Sequence, residues 1–163
     1  MGILTDKLRR SLDSALHMSE WHSLEAALRG LADADAAWTP THYRGFPWSK
    51  GSIREIVLHV AADMLVQHSM AFGDGSLNWE KVLELPEARE GTLAASRRLL
   101  QRGANELYHT LSGLTDEDLS RTVTTWGGKK MSAEHFFDML IEHALYHAGQ
   151  IRYIRCLIEG ERS

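Results

Sequence analysis

The chain has one cysteine, three prolines and no long hydrophobic run in its 163 residues. A lone cysteine, Cys156, excludes an intrachain disulfide and suits a reducing compartment. No apolar stretch approaches the ~20 residues that a membrane-spanning helix needs, so no membrane partner is expected. Basic runs are missing as well. Lys and Arg number 18 against 22 Asp and Glu, a net charge of −4, and no nucleic-acid partner is expected. Met1–Lys7 carries no apolar core of a signal peptide, which makes the expected location cytoplasmic. The remaining composition, 44% hydrophobic and 25% charged, is that of an ordinary globular chain. Its length suits a single domain over residues 1–163 with a sizeable core.

With few helix breakers, helical periodicity dominates and four long helices are expected. The first runs from Thr5 to Arg29 and ends near Gly30, with Leu12, Leu16, Leu24 and Leu28 recurring along it. Asp33–Lys50 reads as a connection, with Pro40, Gly45 and Pro47 among Trp38, Tyr43, Phe46 and Trp48. The second helix starts at Ser52, where Ser52-Ile53-Arg54-Glu55 forms a capping box, and runs to Phe72 before Gly73-Asp74-Gly75. The third spans Glu87–Leu111. Thr115-Asp116-Glu117-Asp118 reads as another capping box that opens a short helical turn. A tight hairpin is expected at Val123–Lys130, with Gly127-Gly128 as a two-residue turn. The fourth helix opens with Ser132 as N-cap and runs to Ile158, with Gly160 as its stop. The resulting fold is all-α, an antiparallel four-helix bundle with a long first crossover and a short hairpin or turn before the last helix.

Histidine is plentiful, at nine residues, so position decides which of them matter. His143 and His147 are four apart and share one helical face. At about 100° per residue that face also carries Phe136, Leu140, Ile151, Ile154 and Ile158, so both imidazoles point into the core. A buried imidazole needs a partner, and two at this spacing can hold one metal ion. A third ligand should come from a facing helix. His59 qualifies, on a second-helix face with Ile56, Asp63, Val66 and Met70, whereas His68 lies about 180° round that helix. The second helix is apolar nearly all round, which points either to a second chain or to burial under the Asp33–Lys50 connection.

Gly51-Ser52-Ile53-Arg54-Glu55-Ile56-Val57-Leu58-His59, His143-Ala144-Leu145-Tyr146-His147-Ala148-Gly149-Gln150-Ile151 and Leu114–Leu119 together resemble the DinB/YfiT-like superfamily of metalloenzymes. The resemblance covers nearly the whole chain in helix order and length. It implies a DinB-type four-helix bundle that holds a metal through His59, His143 and His147, and a homodimer. Some members of the family are transferases or isomerases that use low-molecular-weight thiols such as bacillithiol or mycothiol.

Three neutral imidazoles suit a divalent transition metal, Zn or Ni first and Fe or Mn next. They leave a coordination position open, as in catalytic zinc sites. Asp63, one turn beyond His59, can accept a ring N–H, act as a proton acceptor or serve as a fourth ligand. Gln150, three residues beyond His147, can bond a ligand water or a neighbouring backbone group. His17, His22, His42, His68, His109 and His135 read as surface or packing residues. Cys156, about 140° from His143 on the wheel, reads as a small buried residue and not as a ligand. The aromatic connection Trp38–Trp48 and the Trp126–Lys130 turn can wall a pocket mouth, with Arg44, Lys50 or Lys129 available to an anionic group. Three functions compete: a thiol-dependent S-transferase, a metal-dependent hydrolase working through hydroxide, and a non-catalytic, stress-associated dimeric bundle. The first is favoured.

Overall fold

The computed structural model describes residues 2–45 and 49–162. Phe46, Pro47 and Trp48 of the expected connection lie outside the described residues. Helices α1 (Ile3–Asp13), α4 (Ile53–Phe72), α7 (Leu93–Gly113) and α8 (Ala133–Glu161) are the four long elements. Short helices α2 (Leu24–Leu28), α3 (Asp33–Ala37), α5 (Trp79–Leu83) and α6 (Pro86–Glu90) fill the connections. A hairpin of β1 (Thr122–Thr124) and β2 (Lys130–Ser132) precedes α8, with Val123 opposite Met131. The fold is all-α apart from this hairpin.

Local chemistry accounts for the boundaries. Ser52 accepts the Glu55 N–H at 3.2 Å while Glu55 accepts the Ser52 N–H at 3.1 Å, so the capping box at the start of α4 is present. Thr115 and Asp118 make the same reciprocal pair. Asp116 between them reaches across the fold to the start of α1, accepting the N–H groups of Thr5 at 2.9 Å and Leu4 at 3.2 Å.

Four boundaries differ from the sequence expectation. The first helix is interrupted, because α1 passes into a π-helical turn over Ser14–Met18 and the chain restarts at α2 with Ser23 as N-cap. Ser19 and Ser23 hydrogen-bond locally through their side chains, the competition with the helix ladder that serine offers. The expected third helix is split between α6 and α7, where Gly91 takes φ +71° and Thr92 caps the new start. The hairpin connection is Thr125–Lys129 and not a bare Gly-Gly turn, although Gly127 and Gly128 both have positive φ. At the other end of α8, Gly160 stays helical and does not stop it.

Side-chain pairs across the interfaces give the helix directions. His59 and Phe72 of α4 meet His143 and Phe136 of α8 respectively, so these two run antiparallel. Asp13 near the end of α1 meets Tyr108 late in α7 while Leu4 meets Asp116, again antiparallel. Arg54 and His68 of α4 meet Gly91 and Thr110 flanking and late in α7, so α4 and α7 run parallel. A parallel pair needs a connection that travels the length of the bundle, and α5 and α6 are built into it. The two helices approach closely at Gly103, where a Cβ would sit 3.0 Å from Met64 Cβ and 3.4 Å from the Ala61 carbonyl oxygen.

The main core gathers Leu12, Leu16, Leu28, Met64, Leu107, Phe136 and Phe137, all nearly inaccessible to solvent. A second cluster, with Ala62, Leu65, Val66, Val82 and Leu99, joins α4 and α7 to the α5 crossover. The all-round burial of α4 is thus met within the chain by α7, α8, α3 and α5. It makes no demand for a second subunit. Among the described residues, α8 leaves Leu145, Tyr146, Tyr153 and Leu157 exposed on one side. None of the helices among the described residues is long and apolar enough to cross a membrane.

Candidate metal centre

The centre lies where the first half of α4 meets the middle of α8. His143 and His147 are one turn apart on α8, and the antiparallel α4 brings His59 opposite them. The Nε2 atoms of His143 and His147 are 2.9 Å apart, and those of His59 and His143 3.3 Å. One ligand atom from each of the three residues lies within 4.8 Å of the others. A tetrahedral ion with metal–nitrogen bonds of about 2.0–2.1 Å separates its ligand nitrogens by roughly 3.3 Å. The two distances to His143 are within a few tenths of an ångström of that separation, and the whole set is close enough to hold one ion.

The outer nitrogens strengthen that fit. Nδ1 of His147 is 2.9 Å from Oε1 of Gln150, an acceptor that calls for a proton on Nδ1. Nδ1 of His143 is 3.0 Å from a carboxylate oxygen of Asp63. This is a close contact with a carboxylate and not an aligned hydrogen bond, and it too favours the proton on that nitrogen. Both assignments leave lone pairs on the Nε2 atoms, which then face each other at contact distance. Two converging lone pairs repel unless a cation lies between them. Partners on the outer nitrogen that fix the ring in this way are the usual support of metal-ligating histidines.

Burial acts in the same direction. His147 is almost fully buried. Desolvation, then the neighbouring His143, lowers the pKa of His59 and of His147 to about 4. Both rings stay neutral at physiological pH, the form that binds metal.

Asp63 faces His143, not the His59 of its own helix. Its other oxygen accepts from Gln67 Nε2 at 3.2 Å, and Gln67 Oε1 accepts the backbone N–H of Trp126 at 3.0 Å. A chain of polar contacts thus runs from a candidate ligand to the tip of the hairpin. Sequence reasoning missed Gln67. The i, i+4 spacing from Asp63 was visible, but its link to the hairpin is tertiary. Trp79 was missed too, because its short helix hides in the crossover. Its ring stacks on His59 with centroids 5.2 Å apart and planes 12° from parallel. Asn78, which caps α5 by accepting the Lys81 N–H, was the available signal.

Beside the histidines a cleft of about 590 Å³ opens between α4, α5 and the hairpin tip, walled by Leu58, Ala62, Trp79, Leu83 and Trp126. Trp126 walls it as the sequence suggested. Trp38 does not, since its indole N–H donates to Glu161 at the far end of α8. Arg44, Lys50 and Lys129 are not among the described residues of the wall.

The remaining candidates fall outside the centre. His68 points away from it, as expected, and pairs with Thr110 of α7 at 2.7 Å. His17 lies against Tyr108. Cys156 is exposed, contrary to the buried position expected. The wheel places it between Leu145 and Tyr153 on the outer side of α8, where it lines a cleft with Trp21, Ala26 and Arg155.

No curated protein matches the chain. The family model of the DinB superfamily matches residues 18–151, a span that holds all three clustered histidines, Asp63 and Gln150, and the chain belongs to the DinB superfamily.

Proposed function

We propose that this protein is a cytoplasmic divalent-metal enzyme with His59, His143 and His147 as ligands. In this reading it transfers a low-molecular-weight thiol of the bacillithiol or mycothiol kind to an electrophilic substrate. The observation that carries it is the convergence of the Nε2 atoms of His59 and His147 on that of His143, beside an apolar cleft lined by His59 and His143. Zn or Ni suits the donor set best, with Fe or Mn following.

A divalent cation held by three neutral ligands keeps its full charge and supplies the means to lower the pKa of a coordinated thiol or water. The protein's own residues do the rest. Asp63 and Gln150 orient His143 and His147, and Trp79 backs His59. Apolar walls border the centre and lower the dielectric through which its charge acts. Asp63, which lines the cleft and touches His143, is the carboxylate placed to take a proton from an incoming thiol by way of a water. The enzyme works as a homodimer through the exposed α8 face of Leu145, Tyr146, Tyr153 and Leu157, because such apolar surface on a helix is normally covered.

The test is elemental analysis of tag-free protein beside His59→Ala and the double variant His143→Ala/His147→Ala. Near-stoichiometric metal in the parent and its loss in both variants support the centre. Absence of metal after reconstitution with Zn, Ni, Fe and Mn overturns it. Thiol-dependent turnover of alkylating electrophiles, abolished by chelation, supports the transferase. Ester or amide cleavage without thiol would instead assign a hydrolase at the same ligands.

A further inference from the structure

The walls of the cleft go further than the metal. Among the described residues that line it, the apolar ones are Leu58, Ala62, Trp79, Leu83 and Trp126, and none is Lys or Arg. The ionisable side chains besides the histidines are Asp63 and Glu55. Glu55 is buried in part, which raises its pKa. Hydrogen bonds from Ser52, Lys50 and Ser49 outweigh this and hold its carboxyl below the usual range. The cleft is therefore apolar with a fixed negative charge at its edge.

Two of its large apolar side chains are left in solvent, Trp126 at 58% and Leu83 at 49% exposure. Large exposed apolar groups around a concavity mark a binding site. The indole of Trp126 is not on a free loop. Its own backbone N–H is tied to Gln67, Gly127 and Gly128 turn the chain directly behind it, and Thr125 is paired to Lys129 at 2.8 Å. Trp79 is fixed in the same sense by its stacking on His59. The described walls of the cleft thus present two indoles and no Lys or Arg side chain.

We propose that the electrophilic substrate is uncharged and carries a flat apolar group, such as a fused or substituted aromatic ring, that packs against Trp79 and Trp126. Anionic substrates are disfavoured. The proposal rests on the cleft being the substrate site of the metalloenzyme. Flat rings gain from indoles beyond the area they bury, through offset stacking and edge contacts, and with the metal's open position given to the thiol a carboxylate would find no Lys or Arg in the wall to pair with.

The test is direct binding to metal-free protein, followed by tryptophan fluorescence and by ligand-observed NMR. The probes are 2-naphthylmethanol, 2-naphthoate and decahydronaphthalene-2-methanol, which separate charge from flatness. The expected order is naphthylmethanol over naphthoate by about tenfold and over the saturated alcohol by a few-fold. Trp126→Ala should weaken naphthylmethanol by about five- to tenfold, and Leu83→Lys should narrow the gap between alcohol and carboxylate. Both sites are exposed, so neither change threatens folding. Naphthoate binding as tightly as the alcohol, no binding of any probe, or affinities untouched by both substitutions would overturn the proposal. Working without metal keeps the two readings separable. A protein that binds the probes in this order but takes up no metal loses the enzyme reading and keeps the apolar cleft. One that takes up metal yet prefers naphthoate does the reverse.

Discussion

Asp63 Oδ2 stands 3.0 Å from Nδ1 of His143, and the opposite nitrogen of that ring, Nε2, lies 3.3 Å from that of His59 and 2.9 Å from that of His147. The carboxylate therefore selects which nitrogen faces the centre. Asp63→Asn keeps the shape but removes the charge that favours the proton on Nδ1. The expected result is a roughly 10–100-fold loss of metal affinity in competition with a chromophoric chelator, and an altered visible spectrum of the cobalt form. Turnover that stays at the parental value in the fully metal-loaded variant would rule out a proton-accepting role for Asp63.

The depressed pKa values of His59 and His147 carry a defined pH dependence. Both are about 4 in the folded chain, against about 6.5 for an unperturbed imidazole. As pH falls, the unfolded chain takes up these protons first. The stability tied to the neutral rings is complete above about pH 6.5 and is lost between about 6.5 and 4, with no further loss from these two groups below that. For the buried His147 this is on the order of a few kcal/mol. The Tm of metal-free protein should fall through that window, and His147→Gln should flatten the slope. A Tm independent of pH between 7 and 4.5 would contradict this account.

Much of this arrangement is legible in the sequence. The Ser52-x-x-Glu55 box fixes where α4 begins and hence the phase that turns His59 inward. The four-residue spacing of His143 and His147 places both on one face. What is not legible depends on contacts between distant segments. Trp79 reaches His59 only because α4 and α7 run parallel and force a lengthwise crossover over the site, a topology that periodicity does not encode. Gln67 has an ordinary place on its helix, and only the hairpin gives it a second partner. The break between α1 and α2 lies in Ser19-Glu20-Trp21-His22-Ser23, where the leucine spacing alone favours continuity and serine side chains decide otherwise.

Gln67 joins Asp63 to the Trp126 backbone, so its loss should be felt at both ends. Gln67→Ala removes one hydrogen bond at each side, about 0.5–1.5 kcal/mol apiece. The expected signature is faster amide hydrogen exchange at Thr125–Gly128 together with a modest fall in metal affinity. An effect confined to stability, with neither change, would make Gln67 a packing residue only.

The close approach of α4 and α7 at Gly103 leaves no room for a branched side chain. A Cβ there would already lie 3.0 Å from Met64 Cβ, and the further methyls of valine would push α4 away from α7. Overpacking of this kind costs about 1–3 kcal/mol, so Gly103→Val should lower the denaturant midpoint at an unchanged m-value. Ala61 and Met64 sit within five residues of His59, so a displaced α4 should also carry His59 away from His143 and weaken metal binding in the folded variant. Gly113 at the end of the same helix has nothing within 4 Å of its Cβ position, and Gly113→Val provides the matched control with parental metal affinity.

The exposed face of α8 sets the last test. Leu145, Tyr146, Tyr153 and Leu157 are 40%, 56%, 66% and 37% exposed, and at about 100° per residue they fall within one third of the helix circumference. If this face joins two copies, it packs against the same face of the other copy, residue i against j and j against i, as a two-fold interface requires. Tyr153→Glu and Leu157→Glu then place like charges together in a dry contact. Sedimentation equilibrium should show a dimer for the parent and a monomer for the double variant, with helical content and metal stoichiometry unchanged because His143 and His147 lie on another side of α8 and His59 lies on α4. A parent that is monomeric at tens of micromolar would remove the dimer and leave this face as solvent-exposed surface.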